Sequence, residues 1–209
     1  SCYGLQVRHR RYGGQFQTDY ANLIRQDFAS SSCLADYQNQ QLQRIVSHAV
    51  SNLEVYRQRL GTTREALARL TAVDLPSAFP CLPKATVRLA PNDFTVRKYS
   101  SGLVTQTSGS TGSPLIVPVT KGAIRRNYSF FARFLNWHGV SPFDKSATFA
   151  GRLFVSDGRP VSRKYRRNWA LHDTLYSSYH LSPADIESYV HDLRKWQPKY
   201  IDSYPSAIN

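Results

Sequence analysis

Between Leu34 and about Arg59, apolar residues recur at the three-and-four spacing that lines one face of a helix: Leu42, Ile45, Val46, Ala49 and Leu53. Gln38, Asn39, Gln40, Gln41 and Gln43 fall mostly on the solvent side. The apolar stripe runs on past them, so this tract reads as half of an amphipathic helix rather than a low-complexity segment. Thr62 or Thr63 can cap a short helix through Leu70, which ends before Leu75-Pro76. Pro76, Pro80, Pro83 and Pro91 then rule out a continuous helix, and 75–101 reads as a loop-rich connector. Short strands are predicted at Leu103–Gln106 and Leu115–Val119, on either side of a Ser/Thr/Gly loop. Lys121–His138 has helical spacing, with Ile124, Tyr128, Phe131 and Leu135 along one side, and Ala147–Ala150 reads as a buried strand. Ser182 is an N-cap and Pro183 suits the first turn, while Asp185 and Glu187 favour the positive end of the helix that follows. Ile186, Val190 and Leu193 are expected to face its core side, with Pro198 after it and a strand from Tyr200-Ile201-Asp202. Residues 1–18, basic and glycine-containing, are expected to begin as an irregular arm. The alternation of helices and strands predicts an α/β fold.

Composition changes this picture only in its charge. With 41% apolar and 20% charged residues over 209 positions, the chain has the balance of a globular protein that buries a core. The net charge of +13 suits nucleic acid, an anionic membrane face or a phosphate-rich ligand. Arg163, Lys164, Arg166 and Arg167 form the densest cluster, and Arg8, His9, Arg10 and Arg11 a second. Neither matches a nucleic-acid-binding module, so that function rests on charge alone, and both read first as solvated surface. Cys2, Cys33 and Cys81 are far apart and odd in number, with no CxxC pair and no HExxH among the histidines. That argues against a zinc site and for free thiols in a reduced, cytoplasmic setting. No stretch is apolar for long enough to span a membrane as a helix.

The candidate chemistry lies in Thr107, Ser108, Gly109, Ser110, Thr111, Gly112 and Ser113, followed by Pro114. Five hydroxyl side chains surround two glycines there. Glycine lets successive backbone N–H groups converge on one anion, and hydroxyls add further donors to phosphate oxygens. A flexible surface turn has the same composition. The loop is no Walker motif, because Gly112 is followed by Ser113 and Pro114 with no lysine. It is no dinucleotide fingerprint, because a strand follows instead of a helix, and no GxSxG elbow can be drawn.

The segment TSGSTGSP resembles the phosphate-binding signature of the adenylate-forming (AMP-dependent synthetase/ligase) superfamily. Within it the chain looks most like the phenylacetate–CoA ligase branch and its CapK-like proteins of capsular polysaccharide biosynthesis. Residues 40–57, 175–201 and the turn 203-SYPSAI-208 resemble further stretches of that branch in the same order. Many superfamily members carry a lysine after the loop proline where this chain has Leu115, a departure shared within the branch. The resemblance implies the N-terminal portion of the ligase large domain, with helices packed on a mixed sheet. Composition reads 1–33 as a basic arm and short helix, and the resemblance implies at 34–209 a partial AMP-binding domain cut off before the adenine loop and C-terminal domain. It further implies ATP-dependent activation of a carboxylic acid as an acyl-adenylate, with transfer to coenzyme A, another thiol or an amine. ATP phosphates would bind at 107–113, and Tyr204, Pro205 and Ser206 would line a substrate pocket. The Mg2+ ligand is expected beyond Asn209, so the chain by itself is expected to be inactive. An exposed sheet edge in such a part-domain would favour association into homo-oligomers. Two rival readings stand beside it: a truncated, non-catalytic nucleotide- or partner-binding module, and a basic nucleic-acid-binding domain. Arg152, His172 and His180 are weaker candidates, read first as surface or hydrogen-bonding residues at element ends.

Overall fold

The computed structural model describes residues 2–60, 69–96, 103–107, 114–150, 165–178 and 182–207. Two compact units emerge, one made of Ser1–Leu23 with Arg125–Asn209, the other of Ile24–Ile124.

In the first unit, the basic N-terminus is folded rather than an irregular arm: α1 spans Cys2–Tyr12 and α2 Phe16–Arg25. The turn between them needs Gly14, which sits at φ +56°, a conformation open to glycine at little cost. Helix α7 (Lys121–Trp137) packs against these two through aromatic edges. The Tyr12 ring meets Phe16 at 5.0 Å, Phe143 at 5.1 Å and Tyr128 at 5.5 Å. Ser129, fully buried on α7, donates to the Phe16 carbonyl at 3.3 Å. Arg8 donates to the Ala170 carbonyl (3.1 Å) and Arg11 stacks over Tyr128, so the basic cluster is used to hold α1 in place.

The sheet of this unit contains β3 (Ser146–Ala150), β4 (Tyr165–Asn168), β5 (Asp173–Ser177) and β6 (Tyr200–Ser203), in the order β4-β5-β3-β6. Strand β3 is central and parallel to both β5 and β6, while β4 pairs antiparallel on the β5 edge. Helix α8 (Pro183–Trp196) connects β5 to β6, and it starts as predicted, with Ser182 Oγ accepting from the Asp185 amide at 3.3 Å. Its buried face is Tyr189, Asp192 and Trp196; of the expected core stripe Leu193 packs against the core, whereas Ile186 and Val190 stay 46% and 40% exposed. Asp192 is buried with a polar partner. Arg167 on β4 forks onto Asp192 at 2.9 and 2.7 Å, Tyr176 adds a hydrogen bond at 2.7 Å, and the guanidinium lies 4.1 Å from the Trp196 ring centre. Arg167 is therefore no solvated surface cation. Phe149, Tyr176 and Tyr189 complete this layer, with ring centres 4.8 to 6.2 Å apart. Each such pair adds about 0.5–1.5 kcal/mol beyond area burial.

In the second unit the long helix breaks once. Helix α3 (Ser31–Asn52) is capped by Ser30, and α4 (Glu54–Leu60) restarts after Leu53. Val46 is its buried residue and packs with Leu70, Leu42, Val50, Ala78 and Phe79. Positions 42, 46 and 50 form one row along the axis, and Ile45, a step of about 100° away, is 66% exposed. The proline-rich connector becomes short pieces: α5 (Leu75–Ala78), α6 (Lys84–Leu89) and a 3-10 turn at Pro91–Phe94. Strands β1 (Leu103–Gln106) and β2 (Ile116–Val119) form an antiparallel hairpin, with Leu103 opposite Val119 and Gln106 opposite Ile116. The helix expected after Thr62 lies outside the described residues. Among the described residues no helix is long and apolar enough to cross a membrane.

Candidate functional site

The Ser/Thr/Gly loop is carried by the β1–β2 hairpin, the strand–loop–strand setting expected from its flanks. Of its residues, Thr107 is described, and Ser108, Gly109, Ser110, Thr111, Gly112 and Ser113 lie outside the described residues. What is fixed is the neck. The Thr107 amide donates to the Leu115 carbonyl at 3.1 Å, and the Leu115 amide donates back to Thr107 Oγ1 at 3.1 Å. A third contact comes from outside the loop: Lys84 Nζ donates to Thr107 Oγ1 at 2.9 Å. The Thr107 hydroxyl thus accepts twice and clasps the neck of the loop. Lys84 has no ion-pair partner among the described residues. Nothing in the local sequence marked Lys84, which lies 23 positions away. A lone lysine in a proline-rich connector carries no motif.

Tyr204, Pro205 and Ser206 follow the carboxyl end of β6 in a short 3-10 turn at Pro205–Ala207, and all three are exposed. Ser203 Oγ donates to the Tyr204 carbonyl at 3.0 Å, steadying the turn. In open α/β sheets ligands bind outside the carboxyl ends of the strands, where the connections switch sides. Here β5 joins β6 through α8 across the central β3, so the turn leaves the sheet at such an end. The loop and the turn fall in different units.

His172 occupies the tight link from β4 to β5 at φ 51°, with its Nδ1 2.9 Å from the Phe143 carbonyl oxygen, a structural contact at an element end. His180, Arg152, Arg163 and Lys164 lie outside the described residues. Cys2, Cys33 and Cys81 are exposed free thiols. Among the described residues no cluster of three His, Cys, Asp or Glu side chains could hold a metal ion.

The buried carboxyl of Asp173, first residue of β5, was not singled out in the sequence. It accepts from Ser146 Oγ at 2.9 Å and Thr148 Oγ1 at 3.0 Å. Burial nonetheless raises its pKa above the ordinary carboxylate value, against the opposing pull of those two hydrogen bonds and Arg11. A raised folded-state pKa means a contribution to stability that is whole below the unfolded pKa and lost as pH rises through the folded one. Asn at this position keeps an oxygen for both hydroxyls and never ionises. Asp173→Asn is therefore expected to gain stability relative to the parent as pH rises from 3 to 7, read as diverging melting temperatures. Parallel curves would contradict it.

No family model matches the sequence. Protein CapK of Staphylococcus aureus is 23% identical over 180 residues, covering 84% of this chain and 39% of CapK. The crystal structure of a 2-hydroxyisobutyryl-CoA ligase, in complex with 2-HIB-AMP and CoA, superposes with a TM-score of 0.54 at 17% identity. That match covers 85% of this chain and 38% of the ligase. The chain thus spans about two-fifths of the length of either protein. The chain is similar in sequence to part of CapK, and its helices and mixed sheet share the fold of the matched part of that CoA ligase.

Proposed function

We propose that this chain carries the phosphate-gripping part of an ATP-dependent ligase that activates a carboxylic acid as an acyl-adenylate. The observation that carries the reading is the clasped loop. A seven-residue Ser/Thr/Gly segment hangs from a β-hairpin closed by Thr107 and Leu115, with the Lys84 ammonium at its base. Hydroxyls, glycine amides and a nearby lysine ammonium make a donor set for polyphosphate. Ser108, Gly109, Ser110 and Thr111 would hold the β- and γ-phosphates while a carboxylate oxygen attacks the α-phosphorus. The bond from that phosphorus to the bridging oxygen breaks and pyrophosphate leaves. Donors fixed before the reaction lower the barrier most where charge collects on phosphate oxygens.

Residues 34–209 would then be part of an AMP-binding domain, with Tyr204, Pro205 and Ser206 beside the acid or adenosine. Mg2+ would neutralise phosphate charge when bound. A phenylacetate–CoA ligase-like branch, coenzyme A or an amine as acceptor, a part in capsule synthesis and a cytoplasmic setting are the finer parts of this proposal.

The test uses the protein in its natural full-length context. Ser110→Ala/Thr111→Ala is expected to lower carboxylate-dependent exchange between ATP and labelled pyrophosphate about a hundredfold or more, the scale of losing fixed transition-state donors. Unchanged exchange would overturn the loop assignment. ATP protection against thermal unfolding without any exchange would favour the non-catalytic nucleotide-binding module instead.

A further inference from the structure

A cavity of about 290 Å3 lies within the first unit, on the face of the sheet turned towards α1 and α7. Side chains alternate along a strand. Ala147, Phe149 and Tyr176 occupy the face that packs with α8, whereas Ser146, Thr148, Asp173, Tyr200 and Asp202 line the cavity from the other. Ser146, Asp173 and Tyr200 are the first residues of three parallel strands, paired at one level. The cavity therefore sits towards the amino ends of these strands, away from the crevice considered above for adenylate chemistry. At about 30 Å3 for each water's share of the liquid, it has room for about ten non-hydrogen atoms.

Its polar groups are only partly used by the protein. Asp173 is 8% exposed, and while one oxygen takes both hydroxyl hydrogen bonds, the second takes none from the described residues. Asp202, exposed at the mouth, and Arg10, half-buried, line the same space, and neither makes a hydrogen bond or ion pair with the described residues. Arg11, by contrast, is held over the Tyr128 ring at 4.6 Å. A guanidinium and a carboxylate with no partner among the described residues thus share one small cavity with a half-used buried carboxyl, whose nearest cation, Arg11, is held over Tyr128. An anion would leave the carboxyl groups unanswered, a simple amine would leave Arg10, and a neutral polyol would compensate none of the charges.

We infer that this cavity binds a small zwitterion of the α-amino acid type, its carboxylate on Arg10 and its ammonium on Asp202 and the second oxygen of Asp173. Phe131, Leu171 and Leu175 offer apolar wall for the ligand's side chain. Burial raises the pKa values of the Tyr12 and Tyr200 phenols, which keeps both as hydrogen-bond donors at neutral pH. Charged groups of both signs in a small concave site also give specificity by leaving the wrong ligand's partners unpaired.

Ligand-observed NMR on the whole chain at pH 7 tests this, using each common L-amino acid, its des-amino carboxylic acid, its des-carboxy amine, and glucose as a neutral polyol. At least one amino acid is expected to bind, with both of its half-analogues weaker by about tenfold or more, the scale of one lost charge-assisted contact. Arg10→Gln and Asp173→Asn should each reduce that binding tenfold or more while keeping the parent circular dichroism spectrum. Arg10→Gln lies in a half-buried position and serves if Asp173→Asn perturbs the sheet. Failure of every amino acid to bind overturns the inference, as does a half-analogue that binds equally well. Glucose binding lost in Asp173→Asn, without amino-acid binding, would reassign the cavity to polyols. The outcome is independent of pyrophosphate exchange, so the two proposals fail separately.

Discussion

Asp192→Ala is expected to destabilise the first unit by about 3–5 kcal/mol, the scale of removing one partner from a buried ion pair. The pair is well enclosed, with the Arg167 and Asp192 side chains 20% and 7% exposed. Removing the carboxylate strands a guanidinium between Trp196, at 4.1 Å from its ring centre, and Thr174 Oγ1, to which Arg167 Nε donates at 3.1 Å. It also deprives the Tyr176 hydroxyl of its 2.7 Å acceptor in the packed layer under α8. Much of the loss is therefore the cost of the orphaned groups rather than the worth of the bond. Replacing both partners together, as Arg167→Met with Asp192→Leu, should recover a large part of the loss, because no charge is then left behind. Urea unfolding followed by tryptophan fluorescence measures both. Equal losses in the single and double variants would show that shape, not charge, sets the stability of this layer.

Phe16→Ala is expected to cost a similar amount, about 3–5 kcal/mol, by opening a cavity where α1, α2 and α7 meet. The Phe16 ring is 1% exposed, edge-on to Tyr12 at 5.0 Å and stacked on Tyr20 at 5.9 Å. Its backbone carbonyl is anchored by Ser129, so the surrounding helices have little freedom to collapse into the space. Hydrogen exchange should show the amides of α1 and α2 losing protection ahead of those of β3 and β5, since the damage lies at the helix layer. Uniform loss across both layers would mean that the helices and sheet unfold as one cooperative body. Retained protection in α1 and α2 would contradict the packing role assigned to this ring.

Much of the fold was legible in local pattern. The hairpin strands, the helix beginning at Lys121, the strand at Ala147–Ala150 and the Ser182 cap are each set by neighbours within a few residues, and all appear where expected. The loop's composition was legible for the same reason, since the donors that suit phosphate are contiguous. Strands β4 and β5 were not read as strands. β4 reads YRRN, which carries no apolar alternation, and the burial of Arg167 depends on an aspartate 25 positions later. On α8 periodicity places Leu193 correctly but misses Asp192, because it assigns the core to apolar residues. It has no means of knowing that an arginine would arrive to make Asp192 an interior residue.

The N-terminal cluster shows the same division. A run of Arg8, His9, Arg10 and Arg11 looks like a solvated arm until Tyr128, Phe143 and the Ala170 carbonyl, all more than a hundred positions away, give its cations partners. By itself the sequence determined the α/β class, the Ser182 cap and the donor-rich composition of the 107–113 loop, because these depend on backbone preference and nearest neighbours. Tertiary structure alone decided that Lys84 stands at the loop base, that Arg167 and Asp192 are interior, and that Asp173, Asp202 and Arg10 share one cavity. The reason is physical: the free energy of a polar or charged side chain depends on its partners, and those partners are chosen by the folded chain.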